Sequence, residues 1–239
     1  MDPARRLLRV GQSAAELAWQ AWPQFIRPLA LELVAHRPIR EVLPGVHHWT
    51  AIHPRIRVPV DSYFVEPARV LLDPVVPREG LEWFENHEPP TQVVLTNRHH
   101  LRHSERFAEA FGCPIRCCEP GLHEFADGPD VEGFPFGVEL APGLTPHQVG
   151  AICPDDTALH IRTADGAALA FADGVQRPRG GGLTFVPGLL MGDDPAAVRA
   201  ELRDSLRRLL DLDFDHLLFA HGDPWIGGGK AALREFVAG

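Results

Sequence analysis

Val93-Val94-Leu95-Thr96-Asn97-Arg98-His99-His100-Leu101-Arg102-His103-Ser104 is the stretch whose reading decides the fold. Val93-Val94-Leu95 is a short apolar run of the kind that forms a buried strand. Ser104 to Phe111 reads as a helix, with Gly112 as its C-cap. Three histidines between a strand and a helix are the residues a metal site uses. Two arginines and a leucine in the same stretch are residues it avoids, because a guanidinium neither sheds its proton nor ligates a cation. At about 4 Å from a dication, an arginine would be repelled by several kcal/mol at an effective dielectric near 20. It would instead suit an anionic substrate group, held bidentately.

Outward from this segment, other apolar strands end in polar residues. Arg69-Val70-Leu71-Leu72 runs into Asp73, Phe171-Ala172 into Asp173-Gly174, and His216-Leu217-Leu218-Phe219-Ala220 into His221-Gly222-Asp223-Pro224. Strand ends of this kind present side chains to a shared rim. Further strands are expected at 46–52, 56–65, 92–96 and 114–117, near 136–140, and at 147–153, 157–162 and 167–172. Asp155-Asp156 and Asp165-Gly166 read as the turns between the last three. His47, His48 and His53 read as parts of an edge hairpin.

Helices are expected at 79–87, at 104–111, after Asp194-Pro195, and from Lys230. Asp194 serves as N-cap with Pro195 at the first position. Val198, Leu202, Leu206 and Leu209 give that helix one apolar face. Residues 174–194 form a long loop, a length often tied to function. Strands in two runs, each followed by helices, predict an α/β fold.

The 239 residues bury a sizeable core, and 45% hydrophobic and 23% charged content are ordinary for a globular chain. A net charge of −9 argues against a nucleic-acid surface. Residues 1–40 hold six arginines against Asp2, Glu16 and Glu32, so the rest carries about −12 (17 basic minus 29 acidic). Residues 1–40 read as an N-terminal helical extension, with Ser13-Ala14-Ala15-Glu16 as a capping box and Leu17, Trp19 and Trp22 behind it. That extension would pack on the main domain, 41–239, or contact a partner, a second copy or a membrane surface. Cys113, Cys117, Cys118 and Cys153 lack disulfide or structural-zinc spacing and read as reduced thiols, which fits a cytoplasmic protein. No run of 18 apolar residues spans a membrane, and no signal-peptide pattern opens the chain. A Gly-x-Ser-x-Gly elbow is missing, and Gly180-Gly181-Gly182 is not followed by Lys-Ser/Thr.

The order of these strand ends resembles the metallo-β-lactamase fold superfamily, over about residues 40–239. The resemblance implies a four-layer αββα sandwich of two mixed β-sheets flanked by helices. In that family Thr-His-x-His-x-Asp-His follows a strand. In one register Thr96 matches, Asn97 stands for the first His, His99 for the second, Leu101 for the Asp and Arg102 for the third His. With one residue inserted, Arg98 and Arg102 stand for the first His and the Asp, while His100 and His103 keep the second and third. Ser104 after His103 fits the second register. Gly143-Leu144-Thr145-Pro146 matches the family's Gly-His-Thr segment with Leu144 at the ligand position; His147 lies three residues on. Asp173 matches the bridging acid, His221 the last histidine and Asp73 a structural acid.

What the resemblance implies is a hydrolase-like protein with an eroded metal site. A dinuclear centre is not expected, because its donors and the acid that orients water are missing. One zinc or other divalent ion would be held by two of His99, His100 and His103 together with Asp173 and His221. A metal-bound hydroxide would attack a small ester or lactone, with Asp173, Arg98 and Arg102 as catalytic groups and an arginine holding substrate charge. The alternative is a non-catalytic or ligand-binding protein that reuses the fold without metal.

Overall fold

Each strand's period-two alternation assigns its side chains to opposite faces, and the layers follow from that. The computed structural model describes residues 36–239. Its first sheet has seven strands in sequence order: β1 (Arg37–Leu43), β2 (Val46–Ile52), β3 (Pro59–Val65), β4 (Val70–Leu72), β5 (Gln92–Val94), β6 (Ile115–Cys118) and β7 (Val131–Phe134). Strands β1 to β4 pair antiparallel, and β4 to β7 pair parallel. The second sheet holds β8 (Leu144–Gln148), β9 (Thr157–Thr163), β10 (Gly166–Phe171) and β11 (His216–Phe219), in the order β11-β10-β9-β8. Here β8, β9 and β10 are antiparallel, and β11 joins β10 in parallel.

Tyr63, Val65, Val70, Leu72 and Val94 of the first sheet pack against Leu144, Leu159, Ile161, Ala168, Ala170 and Leu218 of the second. Their sequence neighbours Phe64, Leu71, Val93 and Leu95 face the other way. They bury Phe84 of α1 (Glu82–Glu85) and Phe107 of α2 (Ser104–Phe111). On the second sheet's outer face, Leu169, Phe171, Leu217 and Phe219 meet Leu202, Leu206 and Leu209 of α3 (Pro195–Leu209). Leu233 and Val237 of α4 (Gly229–Ala238) complete that layer. The expected αββα sandwich is therefore the observed architecture.

Local signals act as expected at several ends. Asp194 Oδ1 accepts the Ala197 amide at 2.9 Å, and Gly112 closes α2 at φ +62°. The four cysteines are free and buried. No helix among the described residues is long and apolar enough to cross a membrane.

Other elements differ from the sequence reading. The helix expected at 79–87 is a single turn, because Pro77, Gly80 and the Pro89-Pro90 pair bracket it. The strand expected near 136–140 lies earlier, at Val131–Phe134, where β7 pairs with β6. The strand expected at 147–153 begins at Leu144 and ends at Gln148, with the chain turning at Gly150 (φ +66°). The boundary drawn at residue 40 falls inside β1, which is hydrogen-bonded to β2 from Arg37 onward. The helical reading of Ser13 to Val34 lies outside the described residues. His47 and His48 are buried in β2, a strand paired on both sides rather than an edge.

Leu144, at the family's ligand position, is fully buried between the sheets. Leu144→Ala therefore removes inter-sheet packing and is expected to cost about 2–5 kcal/mol, read from the urea midpoint, without altering metal content.

Candidate metal site

Four parallel-strand ends converge on one rim. Asp73 follows β4, Thr96 to His100 follow β5, Asp173 follows β10 and His221 follows β11. The two sheets are tied together there. The Thr157 amide donates to Thr96 O at 3.0 Å, and the Asp61 amide to Ala220 O at 2.9 Å. The Tyr63 hydroxyl donates to Phe219 O and accepts the Phe219 amide, both at 3.0 Å.

Asp73 is buried and left-handed (φ +46°). Its carboxylate accepts the Thr96 amide at 2.7 Å, the Thr96 hydroxyl, and His100 Nδ1 at 2.9 Å. Burial pushes this carboxyl up, but the His100 imidazole and Arg102 outweigh it and hold the group below the usual range. His100 Nε2 lies 3.6 Å from Asp173 Oδ1, and His221 Nε2 lies 3.0 Å from the same oxygen. Burial lowers the His100 pKa, yet Asp73 and Asp173 on either side raise it to about 9. Asp173 is held well below the carboxylate range, as His100 and His221 overcome its burial. Burial keeps His221 low despite Asp173.

His100, Asp173 and His221 bring one donor atom each to within 4.8 Å of one another. Two imidazoles and a carboxylate suit zinc or a similar divalent ion. The bond from His100 Nδ1 to Asp73 leaves Nε2 as the inward nitrogen, the carboxylate–histidine arrangement that orients metal ligands. Formal charge agrees. Asp61, Asp73 and Asp173 outnumber Arg102 and the protonated His100, so the rim is negative on balance. The residues present therefore fit a dication.

Of the residues singled out from sequence, the structure brings His100, Asp173 and His221 together. His99 lies beside them, its amide capped by Asn97 Oδ1 at 2.9 Å, and is not in the three-donor group. His103 is directed elsewhere: its Nδ1 accepts the Val76 amide at 3.1 Å. Arg102, between them, is left-handed (φ +48°), and that reversal turns His103 away from the rim. Arg98 is bound through its side chain and its amide to the carboxylate of Asp155, so its guanidinium is not turned to a substrate. Arg102 donates to Asp61 O at 2.7 Å, Asp73 O at 2.8 Å and Ala220 O at 3.4 Å, which makes it a backbone clamp. His147 lies on β8 against His160 rather than at the rim.

Several residues hold roles that the sequence reading does not assign. Asn97, fully buried, donates to Asp173 Oδ2 at 2.7 Å and fixes that carboxylate. Asp155 and Asp156 lie in the turn between β8 and β9 as expected, closed by the Asp156 amide on Cys153 O at 3.0 Å, but both are fully buried. Asp156 Oδ1 accepts the Asp173 amide at 3.3 Å, and burial raises its carboxyl well above the usual range. Asp61 accepts His48 Nε2 at 2.8 Å, the Thr50 hydroxyl at 2.7 Å and the Gly222 amide at 2.7 Å. An acid inside the apolar run Val60 to Val65 is a readable signal, since a buried charge needs partners. His53 also feels the charges of the rim, and no local pattern announces it. Gly222 is required by its place: at φ +122°, a Cβ would lie 1.8 Å from Arg177 O, where the 174–194 loop crosses the end of β11.

Neither a protein-family model nor a curated protein matches the sequence. Solved structures do. The metallo-β-lactamase FIM-1 from Pseudomonas aeruginosa, in its mono-zinc form, superposes with a TM-score of 0.61 at 15% identity, covering 84% of this chain and 96% of that one. A metallo-β-lactamase family protein from Thermus thermophilus gives 0.57 at 15% identity, over 83% and 80%. TTHA1623, in a di-iron-bound form, gives 0.53 at 19% identity, over 82% and 96%. Identities this low speak for architecture alone, and the architecture they establish for this chain is the metallo-β-lactamase fold.

Proposed function

We propose that this protein is a hydrolase of a small ester or lactone, working with one divalent ion such as zinc held by His100, Asp173 and His221. One observation carries the reading: two imidazole nitrogens and a carboxylate oxygen converge at the rim, and Asp73 braces the outer nitrogen of His100. When bound, such an ion supplies Lewis acidity toward water and a substrate carbonyl. Three donors suit a single ion and fall short of a two-metal centre, which makes this an eroded form of the family's site.

The chain's own groups prepare the rim. Asn97 engages one oxygen of Asp173, so the other stays directed at the imidazoles. Asp156, fully buried with its carboxyl pushed well above the usual range, accepts the Asp173 amide and holds that strand end in place. Arg102 gathers the carbonyls of Asp61, Asp73 and Ala220, fixing the strand ends that carry the donors. Recognition of a substrate anion by Arg98 is not part of this proposal, because Asp155 occupies that guanidinium.

Elemental analysis of the purified protein should find about one ion per chain. Asp173→Asn and His221→Ala should abolish that loading and reduce ester and lactone hydrolysis at least ~100-fold. Asp73→Asn should weaken metal affinity about 10–100-fold while leaving the donors in place. A metal-free wild-type chain with no hydrolysis across the panel would replace this reading with a non-catalytic, ligand-binding role.

In the metal-free protein, a proton takes the cation's place between Asp73 and Asp173, since His100 stays protonated up to about 9. Zinc affinity should therefore climb as pH rises from about 6.5 toward 9, with His100 releasing a proton to the incoming ion. Stability of the metal-free protein runs the opposite way. A histidine whose folded pKa exceeds its unfolded value near 6.5 stabilises fully below 6.5, and that contribution is lost as pH rises through about 9. Denaturation midpoints should fall across that window, and His100→Gln should flatten the slope. An unchanged slope in the variant would remove His100 as its source.

A further inference from the structure

We propose that His53 is a neutral hydrogen-bond donor at this rim that binds the substrate's carbonyl oxygen as it gains negative charge. The inference rests on the hydrolase reading of the metal site. It begins with the turn between β2 and β3, which is closed by the His53 amide on Val58 O at 2.8 Å and the Arg57 amide on His53 O at 3.1 Å. The His53 side chain folds back into this turn. Its Nδ1 accepts the amides of Arg55 at 3.1 Å and Ile56 at 3.3 Å. A ring nitrogen that accepts two N–H groups cannot itself carry a proton, so the hydrogen resides on Nε2. The turn thereby sets the tautomer and holds the ring in place.

The location follows from the sheet register. Thr50, three residues before His53, pairs with Asp61. Asp61 in turn brackets His221, with its amide on Ala220 O and its carboxylate on the Gly222 amide. The paired strands that carry this turn are thereby tied to the end of β11. His53 is 8% exposed there, and the charges that act on it are those of Arg102, His100, His221 and Arg55. Burial above all, and then the cationic or imidazole groups around it, keep the ring neutral. A fixed, neutral N–H in a partly dry site stabilises a developing oxyanion without reorganising. No proton leaves His53; the hydrogen stays on Nε2 throughout, and water supplies every proton the hydrolysis needs.

The test compares the metal-loaded wild type with His53→Phe, which keeps the ring and lacks the donor, and with His53→Gln, whose amide can accept from the turn and donate inward. His53→Phe should retain its metal and lose about 10²–10³-fold in kcat with KM little changed. His53→Gln should recover a part of that loss. Methylphosphonate, a tetrahedral oxyanion, provides a readout apart from turnover. Its titration should shift the His53 Nε2–H resonance of the wild type, and its affinity should fall about tenfold in His53→Phe. A folded His53→Phe with wild-type kcat and wild-type phosphonate affinity overturns the inference and leaves the hydrolase reading standing. A wild type that hydrolyses nothing overturns the hydrolase reading, while the phosphonate titration still decides whether His53 donates into the site. If His53→Phe fails to fold, the decision passes to His53→Gln and to the wild-type tautomer. Near-wild-type kcat and phosphonate affinity in His53→Gln support the donor assignment, and a wild-type His53 protonated on Nδ1 overturns it.

Discussion

The buried carboxylate of Asp73 is the junction on which the rim depends. A charge removed from water costs several kcal/mol unless it is fully partnered. Asp73 meets that condition with the Thr96 amide and hydroxyl and with His100. Its main chain is equally engaged: its amide goes to Val94 O, and its carbonyl accepts Ser62 Oγ at 2.8 Å and Arg102. One residue therefore connects β3, β4, β5 and the cluster of His100, Asp173 and His221. The left-handed backbone at Asp73 is part of the same device, since it turns the strand end so that carboxylate and carbonyl serve different partners.

The layers were legible because alternation is a direct imprint of burial. Val70 and Leu72 face one way and Leu71 the other; Ala168 and Ala170 oppose Leu169 and Phe171. The α3 cap was equally plain, because Asp-Pro ahead of an apolar stripe has few other uses. What escaped the sequence had weak local signals. In β7, Val131-Glu132-Gly133-Phe134 is held by pairing with β6 and not by propensity, as Gly133 sits where Leu122 and Glu119 close over it. β1 carries alternating exposed residues on an outer strand, so its pattern resembles a loop. Tertiary partners decide such segments, and composition does not carry them.

The site was half legible for a related reason. Strand ends located Asp173 and His221 without any need to know the fold's details. Within 97–103, sequence order could not say which histidine faces inward. The answer is set by a single 3-10 turn over Arg98–His100 and the left-handed Arg102 that stops it. His100 is delivered to Asp73, and His103 to the Val76 amide. The arginines show the limit of residue type as an argument. A guanidinium opposes a cation only if its charge is unbalanced. Asp155 balances Arg98, while three carboxylates surround Arg102 and leave the rim negative. Asp61 and Asp155 are what reverse the inference, and both lie far from 97–103 in sequence.

The imidazoles around the rim then sort by what each nitrogen touches. His100 lies between two carboxylates and gathers a proton or, equally, a cation. His221 has one carboxylate and a lowered pKa, so its ring is neutral and able to ligate a metal near neutral pH. His53 is governed by its burial and by Arg102, His100 and His221; two backbone amides occupy its acceptor, and its pKa falls to about 3. The same side chain is thus charged, ligating or purely donating according to its burial and the charges within reach. That gradation comes from the strand ends that place Asp73 and Asp173 against His100, while His53 is held by its own hairpin turn. An arrangement that combines a cation-binding cluster with a neutral donor is suited to a carbonyl group, whose attack builds negative charge on oxygen.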